Sequence, residues 1–287
     1  MNGNKKTLFV TCLYSNLYGT PIGGRPSRLF HYLQSLETFL QMESDIIVYT
    51  SEYDAQKIAE RSIFSGNPRV KVIIEDIFKH PQHDFFQRKI KEYNIVNSDR
   101  CFEIMHSKPY WVQNHLNDGY DQIFWIDCGL CHGGLFPIRY RGDNSLTNDN
   151  KCSLMNTKMV KNLNKINNKI FILAADQTDH VTGPNPDQRF FEENEHPDQF
   201  YVVGGMFGGD TNVVKDFCEK YDELFKKMLE IDSFQSEEQL LSFLFFRYKS
   251  FFSPAVFTTW HHEDSDMAKY NIENEIYFYN IFENLNK

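Results

Sequence analysis

Ile123-Phe-Trp-Ile126 is an unbroken apolar run rich in β-forming residues, and it stops abruptly at Asp127, with Cys128 and Gly129 behind it. A run without polar alternation predicts a strand covered on both faces, as in a parallel sheet with helices on either side. Open α/β sheets gather ligands at the carboxyl ends of their strands. Asp127 is therefore a candidate binding group. Asp and Gly are also common turn residues, so a plain strand-ending turn accounts for the same three residues, and the remaining chain has to separate the two readings.

The remaining chain supplies the partners such a strand needs. Apolar β-rich runs at Leu8–Tyr14, Asp45–Thr50 and Arg69–Ile74 are separated by a helical stripe after Ser27 and by a helix reaching about Arg61. Strand–helix alternation of this kind predicts a parallel sheet with crossover helices. Further strands are predicted at Lys169–Ala175, Tyr201–Asp210 and Phe251–Val256. Helices are predicted at Phe85–Tyr93, Cys101–Leu116, Met159–Ile166 and Thr211–Leu229, and from Ser236 to Arg247. Pro109 fits the second of these if the helix starts there. The length of 287 residues suits one large domain or two closely joined halves. The expected class is α/β, with a mostly parallel, Rossmann-like sheet flanked by helices.

Several segments carry candidate chemistry. The loop Ser15–Pro26 is rich in glycine, but it has neither G-x-G-x-x-G nor a Gly-Lys-Ser/Thr ending. Arg28 lies at its junction with the next helix, either as a solvated arginine or as a phosphate contact. In Tyr201-Val-Val-Gly-Gly-Met-Phe-Gly-Gly-Asp210 four glycines interrupt a strand. Either the strand is bulged, or Gly204 and Gly205 let a sugar lie close to the backbone. Ser236 and Gln239 have the spacing of a capping box, which places Glu237 and Glu238 in a first helical turn. The helix dipole accounts for one such carboxylate. His261 and His262 sit among acids near the end of the chain and are candidate ligands.

Bulk properties exclude some classes. A net charge of −9 argues against a nucleic-acid grip. Cys128 and Cys131 are the only cysteines at C-x-x-C spacing, and with no second pair nearby the expectation is free thiols in a reducing cytosol. No window approaches ~18 apolar residues, and the run after the N-terminus is too short for a signal peptide. A soluble, cytoplasmic protein is expected.

Taken in order, these features resemble the GT-A fold of nucleotide-sugar glycosyltransferases. Tyr201–Gly209 with Glu237-Glu238-Gln239 looks like the donor-sugar and catalytic segments of the blood-group and α-1,3-galactosyl transferases. Ser107-Lys-Pro109 and Phe124-Trp-Ile-Asp-Cys-Gly-Leu130 look like segments of the HtrL/YibB-like bacterial proteins. The resemblance implies a single catalytic domain over residues 1–287, with a nucleotide-binding half at about 7–130 and a donor-sugar and acceptor half at 131–287. It implies transfer from a nucleotide-diphosphate sugar, with UDP the expected nucleotide, to a glycan, lipid-linked or protein acceptor.

By the same resemblance, Asp127 stands where an Asp-x-Asp motif begins, with Gly129 in place of the second Asp. Mn²⁺ or Mg²⁺ would be held by Asp127 with His261 or His262. Glu238, then Glu237, are the candidate catalytic carboxylates. Thr11 and Tyr14 would hold base and ribose, and Arg28 and Lys108 would meet phosphate. Two alternatives stay open: a sugar nucleotidyltransferase, and a non-catalytic nucleotide-sugar-binding module.

Overall fold

The computed structural model describes residues 5–17, 20–21, 28–94, 101–128, 156–175, 187–190 and 202–257. Seven strands form one sheet: β1 (Thr7–Leu13), β2 (Asp45–Thr50), β3 (Val70–Ile74), β4 (Gln122–Ile126), β5 (Ile170–Ala175), β6 (Val202–Asp210) and β7 (Phe252–Phe257). Their order across the sheet is β3-β2-β1-β4-β6-β5-β7. Pairing is parallel except at β6, which runs antiparallel to both β4 and β5. The expected mostly parallel α/β sheet is therefore present, with one reversed strand inside it, and strands from both halves of the chain share it.

The described helices are α1 (Arg28–Phe39), α2 (Glu52–Ala59), α3 (His83–Glu92), α4 (Phe102–Gln113), α5 (Thr157–Leu163), α6 (Thr211–Glu230) and α7 (Glu237–Arg247). Side chains alternate across a strand, and β4 uses both sides. Ile123 and Trp125 join a core with Trp111, Phe217, Tyr221 and Leu240 from α4, α6 and α7. Phe124 and Ile126 join Phe9, Leu36, Phe39 and Met159 on the other face. Every residue of β4 is buried, as the apolar run predicts. Helix α6 buries Val213, Val214, Phe217, Tyr221, Leu224, Phe225 and Met228, a stripe at three- and four-residue spacing that faces the core.

Two local features set the frame for the site. His106 of α4 is fully buried, with Nδ1 2.8 Å from the Tyr221 hydroxyl and Nε2 3.0 Å from the Gln235 carbonyl. Burial pushes its pKa down to about 3, so the ring is neutral. A carbonyl only accepts, so Nε2 carries the proton and Nδ1 accepts from Tyr221. This bridge ties α4, α6 and the lead-in to α7 together. Pro109 falls within the helix expected over Cys101–Leu116 and not at a helix start. Helix α4 starts at Phe102, and Pro109 lies inside it. Its ring removes one intrahelical N–H, a cost of about 3 kcal/mol in a helix interior. Packing of α4 against β4 and α6, through Trp111, Val112 and His106, offsets it. No described helix is long and apolar enough to cross a membrane.

Candidate functional site

The chain places β2 and β3 on one side of β1 and then returns to lay β4 on the other. The strand order therefore reverses between β1 and β4, and crevices at such points take ligands in open α/β sheets. Asp127 caps β4 at this point, and its N–H donates to the Gly205 carbonyl at 2.8 Å. Because β6 is reversed, its first residues lie beside the carboxyl end of β4. Gly204 and Gly205 thus reach the same edge as Asp127.

Asp127 shares a face with Trp125, two residues earlier, and its Oδ1 accepts the Trp125 indole N–H at 2.8 Å. Lys108, from α4, brings its ammonium to 3.0 Å from the same oxygen and 3.4 Å from Oδ2. The ammonium also donates to the Gly204 carbonyl at 3.1 Å and to Glu237 Oε2 at 3.3 Å. Glu237 and Glu238 open α7. The capping box is complete: the Ser236 hydroxyl accepts the Gln239 N–H and the Gln239 side chain accepts the Ser236 N–H. Ser242 fixes α7 to β6, donating to the Glu238 carbonyl at 2.7 Å and accepting the Val202 N–H at 3.2 Å. Glu238 is half-buried, and its Oε1 lies 3.4 Å from the Gly204 N–H.

The two glutamates therefore differ. Glu237 is fully buried, and its Oε1 has no hydrogen-bond partner. Burial pushes its carboxyl up to about 8. Lys108 opposes this, while Glu238 and Asp127 add to it. Burial alone would lower the Lys108 pKa, but the Asp127 and Glu237 carboxylates outweigh it and hold the ammonium above the ordinary lysine range. The lysine charge serves Asp127 first, and Glu237 is left to feel its burial.

A stability effect follows from the Glu237 shift. Its folded pKa lies above the ordinary 4.5, so the folded state holds this proton more tightly than the unfolded chain. That contribution is present below about pH 4.5 and is lost as pH rises through about 8, at up to ~1.4 kcal/mol per pH unit. Urea unfolding at pH 5 and pH 8 is expected to show less stability at the higher pH, and Glu237→Gln is expected to flatten the difference. An unchanged slope in Glu237→Gln would mean that other groups carry it.

Not every candidate residue meets at this edge. Lys108, Asp127, Gly204, Gly205, Glu237 and Glu238 do. Tyr14 follows the end of β1, but it is buried between Trp111, stacked at 6.2 Å, and the Glu75 carbonyl, to which its hydroxyl donates at 3.1 Å. Thr11 is buried and its hydroxyl has no partner. Arg28 is the first residue of α1, and its side chain lies outside the described residues, as do His261 and His262. The side of Gly204 where a Cβ would stand is filled by the Glu237 carboxylate, 2.7 Å away at Cδ. Trp125 is the participant the sequence reading missed. Its two-residue spacing from Asp127 on a strand was the available signal.

The described donors do not fit a divalent metal as they stand. Asp127 is the one carboxylate of the shortened motif, and an ammonium already sits against it. Among the described residues no three Asp, Glu, His or Cys side chains are grouped to hold an ion. An open polar depression of about 660 Å³ lies at the opposite edge of the sheet, around Lys5, Asp121 and Asp210. The Asp210 carboxylate there is satisfied by Lys5, Gln122 and the Asn168 N–H, and nothing in that depression resembles the charge cluster at Asp127.

No protein-family model matches the chain, and no curated protein sequence matches it. Among solved structures it is similar to 4-diphosphocytidyl-2C-methyl-D-erythritol synthase from Anaerococcus prevotii. The two are 13% identical over 96% of each chain, with a TM-score of 0.41. At that score the likeness decides neither fold nor reaction, and the fold assignment above stands on the strand order alone.

Proposed function

We propose that this protein transfers a sugar from a nucleotide-diphosphate donor, UDP-linked by the resemblance described above, to a hydroxyl on a glycan, lipid-linked or protein acceptor. The observation that carries this reading is the meeting of Asp127, Lys108 and Glu238 at the point where strand order reverses. In the reaction the acceptor oxygen forms a bond to the anomeric carbon, and the bond from that carbon to the diphosphate oxygen breaks. Its electron pair leaves with the nucleoside diphosphate, whose growing charge needs a fixed cation. The anomeric carbon becomes oxocarbenium-like and favours a nearby carboxylate. Glu238, half-buried and held by α7 beside Gly204, takes the acceptor proton. Glu237, buried beneath, is a positioning residue that holds Lys108.

The test is thermal unfolding with a panel of nucleotides and nucleotide sugars, followed by product analysis with the donor that binds. A ligand at about a hundred times its dissociation constant adds roughly 2.7 kcal/mol, a readily measured shift. UDP or a UDP-sugar is expected to stabilise the protein. Glu238→Gln is expected to keep donor binding and lose about 10²–10⁴-fold in turnover. No stabilisation by any nucleotide sinks the reading. Wild-type turnover in Glu238→Gln removes Glu238 from it.

A further inference from the structure

The place between Asp127 and Glu237, where a metal-centred site would carry its ion, is filled by a side chain of the protein. We propose that Lys108 is the resident cation of this site, and that a nucleoside diphosphate binds here without a divalent metal. The inference rests on the nucleotide-sugar reading for its ligand and goes beyond it in naming what meets the phosphate charge.

The geometry carries it. The Lys108 ammonium has three N–H groups and three kinds of acceptor around it: Asp127 at 3.0 Å, the Gly204 carbonyl at 3.1 Å and Glu237 Oε2 at 3.3 Å. Two of these, Gly204 and Glu237, are buried, and the Asp127 side chain is 37% exposed. An entering phosphate oxygen therefore exchanges for Asp127, the solvent-facing partner. The ammonium stays anchored from below by Glu237 and the β6 backbone. A dication approaching Asp127 meets a different situation. It arrives at a carboxylate whose Oδ1 already accepts from Lys108 and the Trp125 indole. To enter between Asp127 and Glu237 it has to expel the ammonium, leaving the Gly204 carbonyl and Glu237 Oε2 buried without that donor. The position where an Asp-x-Asp motif would add a second carboxylate is Gly129.

Charge balance agrees with this arrangement. Lys108 offsets Asp127 at the solvent-facing side and is held by Glu237 from below, and Glu238 stands half-buried beside Gly204 near the phosphate path. Asp127 then opposes phosphate binding instead of assisting it through a metal. The two arrangements predict opposite effects of removing its charge.

The experiment is calorimetric titration of the full chain with UDP, and with ADP, GDP and CDP in parallel, in EDTA and in excess Mn²⁺. The same titrations are made on Asp127→Asn, whose folding is checked by its thermal transition. In the wild type the dissociation constant in EDTA is expected to stay within about threefold of the Mn²⁺ value, under ~1 kcal/mol. Asp127→Asn is expected to bind about three- to tenfold more tightly in EDTA, as loss of one like charge beside the phosphate requires. Wild-type binding that appears only with Mn²⁺, or binding lost in folded Asp127→Asn, overturns the proposal and returns the site to a metal. If Asp127→Asn does not fold, the wild-type pair of titrations decides alone. If no nucleoside diphosphate binds in either buffer, the nucleotide-sugar reading itself fails, and this proposal with it.

Discussion

Lys108→Ala is expected to cost about 3–5 kcal/mol of folding stability, the range for breaking a buried ion pair from one side. Against a total of roughly 5–15 kcal/mol for a domain, that leaves a marginal protein. The reason is what stays behind. Glu237 is fully buried with one oxygen already unpartnered, and Lys108 is the donor to the other. The Gly204 carbonyl loses its donor too. Lys108 lowers the Glu237 pKa against the pull of burial, so its removal drives that pKa above its present value of about 8. The deficit therefore has a pH signature. Below about pH 4.5 Glu237 is protonated in both folded and unfolded chains, and the loss is confined to packing and hydrogen bonds. From there to about pH 8 the folded wild type and the variant both hold the proton and the deficit stays level; above about pH 8 the wild type releases it while the variant still holds it, and the deficit widens. Lys108→Met, which restores apolar volume but not charge, is expected to recover the packing share and to keep the pH-dependent share. Urea unfolding of the wild type and both variants at pH 5, at pH 8 and at about pH 9.5 measures this. A deficit below about 1 kcal/mol at pH 8 would mean that the pair behaves as an exposed one.

What the sequence made legible was local. Ile123–Ile126 declares a doubly covered strand through its unbroken apolar run, and Asp127 declares its end. Ser236 and Gln239 declare the start of α7, because a capping box is a four-residue signal and nothing distant competes with it. The strand–helix alternation gives a parallel sheet, but it does not reveal that β6 runs backwards. Direction is set by which edges pair, and the pairing of Trp125 with Phe207 spans the chain. The centre of the site was the least legible part. Lys108 and Glu237 are 129 residues apart, and only the docking of α4 against α7 brings them together. The resemblance marks Lys108 as a phosphate contact, but nothing local to it points to Glu237. Pro109 is a related case: local propensity favours it at a helix start, while tertiary packing keeps it inside the expected helix. The glycines of β6 were visible as a group, but not as two groups with different duties.

Those duties separate under substitution. Gly208→Ala is expected to destabilise the fold by about 2–6 kcal/mol, combining backbone strain with overpacking. Gly208 has φ +153°, and an added Cβ would run into the Ile123 carbonyl oxygen and stand 2.5 Å from the Phe124 Cα. Both obstacles are backbone of the central strand β4, which cannot turn aside without breaking its pairing with β6. A Cβ on Gly204 meets a side chain instead, the Glu237 carboxylate, with Cδ 2.7 Å away. Gly204→Ala therefore pushes Glu237 off Lys108 and is expected to disturb the charge cluster more than the sheet. The difference is measurable as coupling. In a Glu237→Ala background the obstacle to a side chain at 204 is gone, so Gly204→Ala should cost at least about 1 kcal/mol less there than in the wild type. Gly208→Ala should cost the same in both backgrounds, because its obstacle is untouched. Urea midpoints of the two single substitutions, each with and without Glu237→Ala, give both coupling energies. Additive behaviour at Gly204 would show that the missing side chain there serves the backbone of β6 and not the carboxylate beside it.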